Sequence, residues 1–202
     1  MQEPVLRPSE APLADPLPYI DAKFYRRASR RSAPLWVVIH ATHGAEGHGK
    51  ARQGARELAD IPAGALASKR RSAHAFVDTG EVVQCVPWAC EAWHCGRTGN
   101  RYGEGIELCG RADQTLEQWL DAKSLPMLAI AAQLVRWRCA VNSLPLEWLT
   151  KEDLQHFKRG ITSHAEVSRA FRESSHWDPG PAFPIAAFVD AVRLAVPSTA
   201  AV

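Results

Sequence analysis

Nowhere does the chain hold a run of about 18 apolar residues, so no transmembrane helix is expected. Residues 1–20, MQEPVLRPSEAPLADPLPYI, carry acids and prolines where a signal peptide needs an apolar core, so no export leader is expected. Net charge is almost absent. The 24 basic and 22 acidic residues leave +2, too little to argue for a nucleic-acid partner. Cysteine is sparse and odd in number, five in 202 residues, which favours reduced thiols over a disulfide framework. Cys85, Cys90 and Cys95 are evenly spaced, but the spacing is not the CxxC of a zinc ribbon. Small buried hydrophobes are their expected role. Internal repeats and a second domain are also missing.

What remains is an ordinary soluble composition, 46% apolar and 23% charged, of a length that suits one domain. Residues 1–33 read as an extension. Its first half is rich in proline and reads as a flexible or surface-draped arm. Lys23–Arg31 (KFYRRASRR) carries five basic residues and no acid, the pattern of a solvated arm or of a contact with an anionic polymer such as nucleic acid or cell wall. Residues 34–202 read as the folded domain.

Within it, LWVVIH (35–40) is a short β-branched apolar run, read as a buried strand that ends in a Gly-rich loop. ARQGARELAD (51–60) predicts a short helix stopped by Pro62. RSAHAFVD (71–78) and EVVQCVP (81–87) flank Thr79-Gly80, a hairpin signal. WACEAWHCGRTGNRYG (88–103) reads as a loop. EGIELCG (104–110) is a further strand, on which alternation sends Ile106 and Leu108 to one face and Glu107 and Cys109 to the other. A buried Glu107 requires a hydrogen bond, an ion pair such as one with Arg, or a nearby cation. Ser124–Asn142 is the strongest helix pattern, with Ser124 as N-cap, a stripe from Leu128 to Cys139, and Gln133, Arg136 and Arg138 on a polar side. Thr150-x-x-Asp153 resembles a capping box for a helix to about Phe157. Residues 160–163 predict a last strand and 184–195 a C-terminal helix. Strand and helix signals alternate, so the fold class expected is α/β, a single domain with a central mixed β-sheet flanked by helices.

Gly160–Pro184 holds two His, an Asp and a Pro-Gly-Pro turn with little apolar periodicity, and reads as a long ordered loop of the kind that carries function. None of the eight His falls in HExxH or at i, i+4 on a helix. Spacing alone therefore places several His at strand ends or in loops and assigns no ligand.

Four segments in chain order, WVVIHATHG (36–44), SAHAFVDTGEVVQCVPWACEAWHCG (72–96), EGIELCG (104–110) and ITSH…DPGPAF (161–183), resemble the zinc-dependent N-acetylmuramoyl-L-alanine amidases of the amidase-2 family. That family includes phage endolysins, the cytoplasmic anhydro-muropeptide recycling amidase and peptidoglycan recognition proteins. The resemblance implies Zn2+ held by His40, His164 and Asp178, with Glu107 as the catalytic carboxylate. Two imidazoles and a carboxylate leave one zinc position open, the pattern of catalytic rather than structural sites. His176 stands where many relatives carry an oxyanion-binding Lys, and residues 165–177 form a longer stretch than the recycling amidase suggests. His74, His94 and Trp93 match segments that line the substrate groove in relatives. The resemblance further implies a peptidoglycan muropeptide substrate, no nucleic-acid or membrane partner, and a monomer. The expected setting is cytoplasmic synthesis, with holin-dependent release to the cell wall if the protein is an endolysin.

Overall fold

A computed structural model describes residues 6–29 and 32–196. Arg30 and Arg31 of the basic segment, and the start of the proline-rich arm, lie outside the described residues. A five-stranded mixed sheet forms the centre. Its strands are β2 (Trp36–Ala41), β3 (Ala75–Val77), β4 (Val82–Gln84), β6 (Gly103–Leu108) and β7 (Gly160–Ser163), in the order β4-β3-β6-β2-β7. Only the β3–β4 hairpin is antiparallel; β3–β6, β6–β2 and β2–β7 are parallel. A small two-stranded sheet pairs β1 (Tyr25–Arg26) with β5 (Glu91–Ala92). The helices are α1 (Lys50–Ala59), α2 (Gly96–Tyr102), α3 (Leu116–Trp119), α4 (Ser124–Val141), α5 (Lys151–Gln155), α6 (His164–Phe171) and α7 (Ile185–Leu194). None of the described helices is long and apolar enough to cross a membrane.

Strand β2 is buried on both faces, as a parallel strand between two neighbours must be. Val37 and Ile39 pack into the main core, with Leu128, Val135 and Cys139 of α4 and Phe188 of α7. Trp36 and Val38 face a smaller core with Cys95, Leu149, Leu154 and Val167. Register then fixes the site. His40 stands beside Glu107 in the β2–β6 ladder, and Ile39 stands beside Ser163 in the β2–β7 ladder. Neighbours in a parallel ladder project to the same face. His40 and Glu107 therefore rise together, and His164, one residue past Ser163, lies next to them. All three stand at the carboxyl ends of adjacent parallel strands, the edge where open α/β sheets bind ligands.

Several expectations need correction. Gly160–Pro184 is not one long loop, because α6 begins at His164 and runs to Phe171. Ser163 is its N-cap and accepts from the Glu166 amide, so Ser163-x-x-Glu166 was a start signal in plain view. The helix stops at Arg172, which takes the left-handed conformation (φ 57°) usually given to Gly. The 88–103 segment is likewise not all loop, since it contains β5 and α2. Ser124 does not cap α4. Asp121 Oδ1 accepts from the Lys123 and Ser124 amides at 2.8 and 2.9 Å, and Ser124 Oγ points to Glu46. Gln133 and Arg138, expected on a polar side, are buried. The hairpin strands are shorter than the apolar runs suggested. The helix after Thr150 ends at Gln155, and Thr150 and Asp153 form the capping box. The described part of the extension is draped on the domain rather than free: Leu6, Ala22 and Tyr25 are buried against it. All five cysteines are free and buried.

Candidate active site

His40, His164 and Asp178 are each less than a tenth exposed and meet at the base of a cleft of about 500 Å3. Asp178 is brought in by the turn after α6. The Ala165 amide donates to the Asp178 carbonyl at 3.0 Å. Gly180 lets the turn close, because a Cβ there would come within 1.8 Å of the Ala112 carbonyl oxygen, and its φ is 104°. The carboxylate spans the two rings: Oδ2 lies 3.1 Å from His40 Nδ1 and Oδ1 lies 3.2 Å from His164 Nδ1. The Ala41 amide donates to Oδ2 at 3.4 Å. Burial alone would raise the Asp178 pKa. Its contacts with His164 and His40 outweigh that and hold it well below the usual carboxylate range. Burial lowers the His40 pKa and favours its neutral form.

The far nitrogens are also engaged. His164 Nε2 is 3.0 Å from Ser174 Oγ, and His40 Nε2 is 2.8 Å from His94 Nδ1. Engagement of both ring nitrogens, one inward and one outward, is the habit of metal-ligating histidines. Two imidazoles and an ionised carboxylate fit a catalytic zinc. Donor atoms of His40, Cys95 and His164 lie within 4.8 Å of one another, as do those of His164, His176 and Asp178, whereas His40, His164 and Asp178 meet through the carboxylate that spans the two rings. Cys95 is packed into the smaller core, and burial pushes its thiol pKa far up. Asp178 presents an ionised carboxylate to both rings, so His40, His164 and Asp178 are the better fit.

Glu107 lines the same cleft and is partly open to it. Burial first, and the Asp178 charge second, push its pKa up to about 8, with Arg71 pulling the other way. Among the described residues no hydrogen bond or salt bridge reaches its carboxylate. The Arg-paired carboxylate is instead Glu104, on the other face of β6. Glu104 is wholly buried, accepts from Arg138 Nε at 2.9 Å and Nη2 at 2.7 Å, and accepts from Asn142 Nδ2 at 3.2 Å.

His176 is exposed and stacks on His164 at 4.6 Å between ring centroids, with Nδ1 3.5 Å from Asp178 Oδ1. Trp93 and His94 line the cleft; Trp93 stacks on Phe24 of the extension. His74 does not line it. The His74 ring is wholly buried, its Nδ1 accepting from the Gly105 amide at 2.9 Å and its Nε2 lying 3.2 Å from the Cys90 carbonyl oxygen. The expected substrate contact at His74 is thus a core histidine with both nitrogens satisfied by backbone. Arg71 and Ser174 were missed by sequence reasoning. An exposed Arg before a strand and a Ser in an irregular turn carry no local signal of a site.

The sequence model of a family described as N-acetylmuramoyl-L-alanine amidase matches residues 30–181. No curated protein sequence matches the chain significantly. The fold is similar to that of the Staphylococcus aureus hydrolase AmiA, solved in complex with its ligand. That match has 14% identity and a TM-score of 0.67, over 93% of this chain and 95% of that one. A selenomethionine derivative of AmpD has 21% identity and a TM-score of 0.61, over 94% and 99% of the two chains. A mutant endolysin from Bacillus subtilis has 20% identity and a TM-score of 0.59, over 87% and 97%. At these identities the likeness is one of fold.

Proposed function

The chain belongs to the N-acetylmuramoyl-L-alanine amidase family, and from that premise we propose that it is a zinc-dependent hydrolase of the bacterial cell wall. It cleaves the amide between the lactyl group of N-acetylmuramic acid and L-alanine. The observation that carries this reading is the meeting of His40, His164 and Asp178 in one cleft with Glu107, a carboxylate held near neutral pKa. Residues 34–202 are the catalytic domain, and 1–33 the extension, whose Phe24 stacks on Trp93 of the cleft wall.

His40, His164 and Asp178 hold the zinc, which when bound lowers the pKa of water to about 7 and polarises a carbonyl. Glu107 takes a proton from the attacking water and passes it to the leaving amine. A carboxylate poised near the working pH suits both transfers. His176, stacked on His164 and facing Asp178, donates a ring N–H to the developing oxyanion. Trp93 and His94 wall the cleft where the muropeptide lies. Polymeric wall is the proposed substrate and phage endolysin the proposed role; soluble anhydro-muropeptide is the alternative, and a non-catalytic wall-binding role a third.

Turbidity clearing of purified sacculi tests the reading, with release of new L-alanine amino termini as the chemical readout. Clearing that stops with chelator and returns with zinc supports it. Hydrolysis of soluble anhydro-muropeptides with intact sacculi untouched moves the assignment to a recycling enzyme. Sacculus binding without new amino termini overturns catalysis.

A further inference from the structure

The imidazole pair of the centre has a third member. His40 and His164 lie with ring centroids 4.7 Å apart, and His94 lies 5.0 Å from His40. His94 leaves the chain between β5 and α2. Asn100 Oδ1 fixes that point, accepting from the His94 amide at 2.7 Å and from the Cys95 amide at 2.8 Å. The ring lies against Gly105 of β6, where a Cβ would come within 2.6 Å of it. Its place is therefore set by backbone on two sides.

We propose that His94 is a positioning residue of the metal centre, which sets the tautomer of His40 so that Nδ1 is the metal-binding atom. A carbonyl oxygen only accepts, so His94 Nε2, 3.4 Å from the Gly103 carbonyl oxygen, carries the hydrogen. In a neutral ring His94 Nδ1 then accepts, and the donor at 2.8 Å is His40 Nε2–H. Once a metal takes the place of hydrogen on His40 Nδ1, which lies 3.1 Å from Asp178 Oδ2, that Nε2–H is the hydrogen the ring keeps. The Gly103 carbonyl thus sets the proton pattern two rings away, and His94 transmits it. Outer-shell partners of this kind set ligand orientation and basicity, and losing one typically costs 10–100-fold in metal affinity. This role differs from the substrate contact expected at His94, and it rests on the zinc site proposed above.

The test is zinc affinity, by competition with a chromophoric chelator, for wild type, His94→Leu and His94→Asn. KM is measured alongside, and the His40 tautomer is read by 15N-edited NMR on the zinc-loaded wild type. His94→Leu is expected to bind zinc about 10–100-fold more weakly. His94→Asn, which places an oxygen near the position of Nδ1, is expected to recover most of the loss. The His40 hydrogen is expected on Nε2. Zinc affinity of folded His94→Leu within about threefold of wild type overturns the proposal, well short of the expected loss. A raised KM with unchanged zinc affinity also overturns it, as the signature of a substrate contact. If His94→Leu does not fold, the NMR decides: a hydrogen on His40 Nδ1 in the zinc-loaded protein refutes it. A wild-type chain that binds no zinc overturns the zinc reading as well, so the two failures are distinguishable.

Discussion

Two glutamates three positions apart on β6 should respond to the same substitution with opposite signs. Glu107 opens to the cleft without a partner among the described residues, and its pKa is pushed up to about 8 from an ordinary 4.5, by burial first. A raised carboxylate pKa means that the folded state holds the proton more tightly than the unfolded one between those values. Stability therefore falls as pH rises through that window. The full shift corresponds to about 5 kcal/mol above pH 8. Water in the open cleft screens part of it, leaving roughly 2 kcal/mol. In metal-free protein at pH 8.5, Glu107→Gln should thus stabilise by roughly 2 kcal/mol, or several degrees in Tm at about 2–4 °C per kcal/mol. At pH 4 the gain should vanish. Glu104→Gln should do the reverse, because it leaves the Arg138 guanidinium buried beside a neutral amide, at a cost of about 3–5 kcal/mol. Urea unfolding in chelator at both pH values reads the two signs, and wall clearing by the zinc-loaded variants reads function. Glu107→Gln should lower turnover by about 10²–10⁴-fold. A loss of stability in Glu107→Gln at pH 8.5 would mean a paired structural carboxylate, and near wild-type turnover would remove Glu107 from the chemistry.

Alanine at His40, His164 or Asp178 should each abolish stoichiometric zinc binding, measured by metal analysis after gel filtration. Zinc retained at one per chain by purified His164→Ala would sink the ligand assignment. Gly180→Ala must move either its own left-handed backbone or the Ala112 carbonyl oxygen. A destabilisation of about 1–3 kcal/mol, with a larger relative loss of zinc affinity, is expected because Asp178 sits two residues away. Unchanged Tm and zinc content would refute the close approach. Trp93→Ala should raise KM for muropeptide with zinc content unaltered, and a fall in zinc content instead would place Trp93 in support of the centre.

The sequence by itself determined the strands of the central sheet, and its family motifs named His40, Glu107, His164 and Asp178, which the fold brings into one cleft. WVVIHA, GITS and the Glu107 strand are short β-branched or alternating runs, and their patterns are local. Thr150-x-x-Asp153 and the Asp-Pro-Gly turn are local signals too, and each lies where expected. Polar α6 was hidden by an Arg in the left-handed position where Gly usually marks a helix end. Burial of Gln133 and Arg138 on α4 was hidden because periodicity records which residues are apolar, not where a partner waits on another element. Tertiary structure alone decided how the residues meet. Register places His40 beside Glu107 and Ile39 beside Ser163, and so sets two strands and the first turn of α6 around one point. It also separated Glu104 from Glu107: the pleat sends one to Arg138 on α4 and the other to the cleft. His74 and His94 carry the same side chain in neighbouring motifs, yet one is sealed under backbone and the other touches His40. Their difference lies in contacts between segments far apart in the chain, which no local pattern records.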